Sequence, residues 1–240
     1  MNPIAFYRIA GFDMQMNCVS PFMLKRLEPY RLDPAPVQDC IDLCYTPEDR
    51  AASEETDGWF EYNWTMQHVV RHLVERQALC FHSSAISVDG QAILFSADSG
   101  TGKSTHARLW KQYKGADHII VQLNDDKPII RLMGKQAVAW GTPWSGKHNI
   151  DTNASAPVKT LIFLARGEEN KIERVLPKNA LSLVLPQVLG CKYNQQEVFD
   201  LLTLLDTFLT NTPIYLLHCN ISEDAVNTVY DRLRKDGVLK

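Results

Sequence analysis

The segment SADSGTGKST, residues 96–105, decides how the rest of the sequence is interpreted. Its small polar residues and two glycines lead directly into Lys103, Ser104 and Thr105. Glycines let backbone N–H groups approach an anion closely, and the free N–H groups at the start of a following helix favour negative charge. Lys103 is placed to reach the β- and γ-phosphates of a nucleotide, and the Ser104 hydroxyl to bind Mg²⁺. The segment therefore predicts a phosphate-binding loop.

The sequence on either side supplies the context that such a loop requires. The apolar stretch 91–96 predicts a strand, and residues 103–113 have the spacing of a helix that ends near Gly115. The pattern G-x-x-x-x-G-K-[ST] fails only at Ala97, where a small side chain suffices if the local φ is negative. The residues predicted to bind the nucleotide are Ser99, Gly100, Thr101, Gly102, Lys103, Ser104 and Thr105.

Two adjacent carboxylates, Asp125 and Asp126, follow a predicted strand at 118–122 and supply the second half of such a site. A carboxylate at the end of a neighbouring strand can hold Mg²⁺ directly or through water. Because neighbouring side chains on an extended backbone point in opposite directions, the two carboxylates need not bind the same ion. One is expected to bind Mg²⁺, and the other to accept the proton of an incoming hydroxyl group.

The remaining sequence predicts an α/β protein. Tight hairpins are expected across Asp89-Gly90 and Gly134-Lys135, and the apolar stretch 158–165 predicts a central strand. In the first part we expect a hairpin around residues 11–13, a strand over 37–45, a solvated loop over 46–58 and a helix over 63–77. In the last third we expect helices around 181–189, 196–209 and 223–235, and a strand over 214–219.

The organisation of the chain predicts one compact domain, because no repeat or linker divides its 240 residues. Within it we expect a strand-rich part over 1–75, a nucleotide-binding core over 78–165 and a mainly helical tail over 166–240.

Composition narrows the classes of partner and the cellular compartment. A net charge of −3 does not favour binding to nucleic acid or to an anionic membrane, because both are negatively charged. No apolar run approaches the ~20 residues of a membrane helix, and the first residues do not have the build of a secretory signal. The six cysteines include no C-x-x-C pair, which favours reduced thiols. We therefore expect a cytoplasmic protein without a nucleic-acid or membrane partner.

Two stretches together resemble the HPr kinase/phosphorylase family. They are HSSAISVDGQAILFSADSGTGKST, residues 82–105, and LNDD, residues 123–126. The resemblance implies a P-loop core on a mixed, partly antiparallel sheet, related to that of the ATP-dependent phosphoenolpyruvate carboxykinases. It also implies that Asp125 helps to bind the metal, that Asp126 is the catalytic base, and that His82 lies near the reacting groups. As an ordinary strand histidine, His82 would instead be hydrogen-bonded in the core.

A third stretch, PWSGKHN at 143–149, partly resembles the Pro-x-x-Gly-Arg-Asn motif of the same kinases. Lys147 stands where that motif has an arginine. Lys147 and His148 could supply positive charge to the phosphate or the acceptor, or could be exposed loop residues. Trp140 and Trp144 could stack on a base or an acceptor, although packing is the commoner role of such side chains.

The function expected from the residues and the resemblance is an ATP- and Mg²⁺-dependent kinase. Its catalytic residues would be Asp126, Lys103 and His82, and its metal ligands Ser104 and Asp125. The acceptor would be a hydroxyl group of a peptide, a protein serine or a small molecule. The chain could also form a homo-oligomer. A nucleotide-sensing module without catalysis and a carboxykinase-like enzyme are the alternatives.

Overall fold

The computed structural model describes residues 2–32, 39–190 and 194–239. Within these ranges it contains two β-sheets and seven α-helices, which is the mixed α/β architecture that the sequence predicts. Cys191 and the start of the strand predicted over 37–45 lie outside the described residues. In the described ranges, no helix is both long enough and apolar enough to cross a lipid bilayer.

The smaller sheet is built from the first part of the chain. Its strands lie in the spatial order β3-β1-β2-β4. In chain order they are β1 (Ala5–Ile9), β2 (Phe12–Met16), β3 (Arg31–Leu32) and β4 (Ile41–Asp42). The predicted first hairpin is confirmed, but its turn lies at Ala10 and Gly11, both of positive φ, because Phe12 and Asp13 already pair within β2. The strand predicted over 37–45 is too long, because only β4 pairs with a neighbour in its described part.

This part of the chain also contains three helices, α1 (Pro21–Leu27), α2 (Pro47–Ala51) and α3 (Asp57–Val69), of which α1 and α3 pack on the sheet. The solvated loop predicted over 46–58 is wrong in part. Residues 52–56 are irregular, but α2 precedes them and begins with a reciprocal capping box between Thr46 and Asp49. The helix predicted over 63–77 begins earlier, and two 3₁₀ turns follow it up to Arg76. Apolar residues of α1, α3 and the small sheet share one core with Ile129 and Trp144 of the later chain.

The larger sheet has ten strands and is mixed, as predicted. Eight of them lie in the order β13-β5-β9-β10-β11-β7-β6-β8, while β14 pairs with β11 and β12. Their bounds are β5 (Ala78–Phe81), β6 (Ser83–Val88), β7 (Gln91–Ser96), β8 (Ile120–Asn124), β9 (Ile129–Met133), β10 (Gln136–Trp140), β11 (Ser155–Arg166), β12 (Lys171–Val175), β13 (Val188–Leu189) and β14 (Ile214–Cys219).

The central position predicted for the 158–165 strand is confirmed. β11 pairs parallel with β7 and β14 and antiparallel with β10, because its length lets successive segments meet different neighbours. The two predicted tight hairpins are also confirmed, as β6–β7 and β9–β10. At the first of them Asp89 and Gly90 both have positive φ, as a two-residue hairpin turn of type I′ requires.

Helices cover both faces of the larger sheet: α4 (Lys103–Lys114), α5 (Pro177–Val184), α6 (Gln195–Asn211) and α7 (Glu223–Lys235). Alternate residues of β11 separate the two faces, since Leu161 and Phe163 pack with α5 and α6, while Ile162 and Leu164 pack with α4 and α7. The helix predicted over 181–189 is wrong in its bounds. α5 ends at Val184, and a 3₁₀ turn and β13 follow.

Candidate functional site

The glycine-rich loop connects β7 to α4 at one end of the larger sheet. Gly100 and Gly102 have φ values of +77° and +118°, and Gly102 is the N-cap of α4 without any capping side chain. The first N–H groups of α4 are therefore not used by a cap. Ala97 is buried and its φ is not positive, as we expected for a site where alanine can replace glycine.

Lys103 is buried beneath this loop, with only 7% of its surface exposed. Its Nζ donates to the carbonyl oxygens of Ala97, at 2.9 Å, and Asp98, at 3.4 Å. Burial lowers the pKa of Lys103, and the negative charges of Asp126 and Asp98 oppose that effect. The ammonium group is thus a largely desolvated cation, and its two loop carbonyls leave one of its three N–H groups to bind an anion.

Asp125 follows β8 and is 4% exposed. Its Oδ1 accepts a hydrogen bond of 2.6 Å from the N–H of Gly146. Burial raises the pKa of Asp125, while the Gly146 hydrogen bond acts in the opposite direction. The Ser104 hydroxyl donates to the backbone oxygen of Asp125 at 3.4 Å, so the start of α4 and the end of β8 are adjacent.

Asp126 has different surroundings. Its Oδ1 lies 3.4 Å from His82 Nε2, and its Oδ2 contacts Lys127 Nζ. Burial alone would raise the pKa of Asp126, but the His82 hydrogen bond and the Lys127 ammonium outweigh burial and lower the pKa to about 2. Asp126 is therefore ionised at neutral pH. Lys127 was missed in the sequence, although its position beside two aspartates was a signal.

His82 lies between β5 and β6 and reaches Asp126 with one ring nitrogen. Its other nitrogen, Nδ1, lies 3.0 Å from Gln187 Oε1. His82 thus lies between two acceptor oxygens, Gln187 Oε1 and Asp126 Oδ1, and its ring N–H groups can donate to either side. Gln187 is 105 positions away in the chain, and no motif marks it, so sequence reasoning could not identify this contact.

The glycine-rich loop, Lys103, the two aspartates and His82 line one cavity of about 470 Å³. The structure brings together most of the predicted site residues there, and adds Gly146, Lys147 and His148 from the loop at 143–149. The predicted residues lining this cavity are His82, Ser99, Gly100, Gly102, Lys103, Ser104, Thr105, Asp125 and Asp126. Thr101 instead lines a neighbouring cavity.

The 143–149 loop is held in place by the first part of the chain. Arg26 donates to Ser145 Oγ at 2.9 Å, and the Tyr62 hydroxyl donates to the Ser145 backbone oxygen at 3.0 Å. Trp144 is fully buried, and its Nε1 donates to Thr65 Oγ1 at 3.0 Å, so it packs in the core and does not line the cavity.

The cavity offers oxygen donors for a hard cation. Within the described ranges no group of three or more His, Cys, Asp or Glu side chains is arranged as a metal cluster. The Ser104 hydroxyl and the Asp125 carboxylate remain as protein donors, and such an all-oxygen pair suits Mg²⁺ when phosphate and water complete its coordination.

The solved structures that are similar to this chain include the HPr(Ser) kinase/phosphatase from Coxiella burnetii. The identity is 12%, the TM-score is 0.37, and the match covers 65% of this chain and 98% of that chain. This is a distant relation in fold, from which no activity follows. Among curated proteins, no sequence matches this chain.

A protein-family model gives the assignment. The model described as SynChlorMet cassette protein ScmC matches residues 48–230, which include both predicted halves of the site and most of the described structure. The chain therefore belongs to the ScmC family.

Proposed function

We propose that this protein is an ATP- and Mg²⁺-dependent kinase that transfers the γ-phosphoryl group to a hydroxyl of a peptide, a protein serine or a small molecule. The observation that carries the proposal is the composition of one cavity. The glycine-rich loop, Lys103 and Ser104 line it together with Asp125 and Asp126. Phosphoryl transfer needs these two groups of residues, because its catalysis consists mainly of positioning and charge neutralisation.

The donor side of the reaction is assigned to the loop and the start of α4. Loop N–H groups and the Lys103 ammonium would bind the β- and γ-phosphates, while Ser104 and Asp125 would hold Mg²⁺. The metal ion would neutralise charge on the phosphate oxygens. Burial of Lys103 strengthens its attraction for the anion, because little water competes for the ammonium group.

The acceptor side is assigned to Asp126. The acceptor hydroxyl would donate a hydrogen bond to the ionised Asp126 carboxylate, which orients the hydroxyl oxygen towards the γ-phosphorus. As the new O–P bond forms and the bond to the ADP oxygen breaks, the hydroxyl proton passes to Asp126 and then to solvent. A pKa of about 2 makes Asp126 a weak base, so its main contribution is orientation, with proton transfer late in the reaction.

A second candidate is a nucleotide-sensing module without catalysis. The favouring observation is that Lys103 Nζ donates to Ala97 and Asp98, while Arg166 donates to the Gly100 oxygen at 2.9 Å. Phosphate binding would break some of these bonds and move the loop. Such a movement could report nucleotide binding to a partner.

Magnesium-dependent ADP release, measured with pools of serine-, threonine- and sugar-containing acceptors, distinguishes the two. We expect acceptor-stimulated release that falls about 100-fold or more in both Lys103→Ala and Asp126→Asn. Lys111→Ala, an exposed lysine at the other end of α4, is the matched control and should retain activity. ATP binding that only Lys103→Ala abolishes, with no turnover by any pool, would instead support the sensor.

A further inference from the structure

A second cavity, of about 370 Å³, lies against the same glycine-rich loop. Gly100, Gly102 and Thr105 line both cavities. Lys103 and Ser104 line only the first cavity, while Thr101 lines only the second. The loop therefore separates two adjoining spaces, and one extended ligand that follows the loop could reach both.

The two spaces differ in chemistry. The first contains Lys103, Asp125 and Asp126 of the proposed reaction, together with two histidines and a second lysine. The second has apolar walls from Leu109, Leu164 and Ile221, and no carboxylate or lysine is among the described residues that line it. Its polar lining residues are Thr101, Thr105, His106, Arg166 and Asn220. Its volume lies within the range of about 300–1,000 Å³ that is usual for small-molecule sites, which combine apolar walls with a few polar groups.

We propose that the second cavity binds the nucleoside, that is the base and the ribose, of the phosphoryl donor. This inference rests on the proposed function. With the terminal phosphate beside Asp126, the triphosphate would pass along the loop, and its nucleoside end would reach the other side. The planar Arg166 guanidinium can stack on a base or pair with the phosphate nearest the ribose.

The alternative occupant, the hydroxyl acceptor, does not fit this cavity as well. Asp125 and Asp126 line only the first cavity, so an acceptor in the second would lie across the loop from the carboxylate that orients it. The nucleoside has no such requirement, because it takes no part in the transfer itself.

Cys219 provides a local probe, since it lines the second cavity and is a half-buried free thiol. Burial raises the pKa of Cys219, so alkylation is best measured at mildly alkaline pH by peptide mass spectrometry. We expect ATP and ADP to slow alkylation of Cys219 about tenfold, and inorganic tripolyphosphate to leave it unchanged. Cys40, another half-buried free thiol, is the control and should react equally in all samples.

A variant that fills the cavity tests the same inference independently. Leu109→Trp should weaken ATP binding about tenfold in calorimetry and leave tripolyphosphate binding unchanged. Leu202→Trp, at an exposed leucine of α6 that lines neither cavity, is the matched control and should alter neither. Equal affinity for ATP and tripolyphosphate, with Cys219 unprotected, would overturn this inference alone. A protein that binds neither compound would overturn the proposed function as well. Cys219 protection by an acceptor but not by ADP would assign the cavity to the acceptor.

Discussion

Asp125 and Asp126 are neighbours in the chain, yet their carboxyl groups have opposite electrostatic surroundings. Asp125 is buried with one backbone hydrogen bond, and burial raises its pKa. Asp126 contacts His82 and Lys127, which lower its pKa to about 2. The two residues lie in the bend after β8, and their carboxylates meet different partners, which separates a candidate metal ligand from a candidate orienting group.

These shifts predict opposite effects of pH on two single variants. Asp126 has a lowered pKa, so its charge stabilises the native state by roughly 2 kcal/mol above pH 4, and this contribution is lost as the pH falls towards 2. The stability advantage of the wild type over Asp126→Asn should therefore shrink on acidification. For Asp125, whose pKa is raised, the wild type should gain stability relative to Asp125→Asn on acidification.

Urea unfolding at several pH values between 2.5 and 6 measures the free energy of unfolding of the wild type and each variant. A precision of about 0.5 kcal/mol in these free energies resolves the expected changes. The two variants serve as controls for each other, because each replaces a carboxylate of the same cavity with an amide of the same shape. Parallel pH profiles for the two variants would contradict the assignment of different surroundings.

At this scale the sequence identified most of the residues that line the candidate cavity. The loop residues and the two aspartates could be placed together because each group follows a strand, and strand ends meet at the edge of a sheet. Gln187 and Tyr62 could not be identified, since their contacts with His82 and Ser145 depend on tertiary packing. The roles assigned to the loop residues and the two aspartates in phosphate and metal binding stay predictions.

At the scale of single elements, the start of α4 determines how the loop is shaped. Gly102 has a φ of +118°, which residues with a Cβ rarely adopt, whereas Gly100 has a φ of +77°, closer to the left-handed region that some of them tolerate. Neither position has an atom within 4 Å of an added Cβ. Any cost of a substitution there comes from the backbone alone.

Gly102→Ala should therefore weaken ATP binding more than Gly100→Ala. We expect a loss of about tenfold or more at Gly102 and a smaller loss at Gly100, because a strained backbone conformation costs on the order of 1–3 kcal/mol. Calorimetric titration with ATP and Mg²⁺ measures both, and thermal unfolding shows whether each variant is folded. Equal losses at the two positions would contradict this account of the loop.

Strands and helices with a strong pattern were predicted well, and those without one were not. β12 was missed because its residues are mostly exposed and show no apolar alternation. α2 was missed because a helix of five residues is too short to show a periodic apolar pattern. Only its capping box at Thr46 marks it in the sequence. α5 was extended too far because apolar residues continue past Val184 into the 3₁₀ turn that contains Pro186.

At the scale of the whole molecule, the first part of the chain supports the candidate site without lining it. Tyr62 of α3 donates to the Ser145 oxygen and accepts from Lys127 Nζ at 3.1 Å. Its hydroxyl thus connects the 143–149 loop to the lysine beside Asp126. Tyr62 is separated from Lys127 by 65 positions in the chain and from Ser145 by 83 positions. No local pattern in the sequence predicts these contacts.

Tyr62→Phe should loosen the 143–149 loop. Loss of the hydroxyl leaves the Ser145 oxygen and Lys127 with one partner fewer, at a cost of about 1 kcal/mol, so amide exchange at Gly146 should become about fivefold faster. Hydrogen–deuterium exchange of peptides that cover 143–149 measures it. Tyr45→Phe is the matched control, because that hydroxyl donates to Glu61, which lies within the first part of the chain. Unchanged exchange in Tyr62→Phe would contradict the supporting role.

The hydrogen bonds of the 143–149 loop also have a consequence for the order of folding. Arg26, Tyr30 and Tyr62 all contact residues between 127 and 151, at sequence separations of 65 to 121. Closing such long segments costs conformational entropy of the chain before any contact can offset that cost. These hydrogen bonds are therefore expected to form late. During synthesis the first part of the chain leaves the ribosome long before its partners do. Assembly of the cavity should therefore be among the last steps by which the newly made chain reaches its native state.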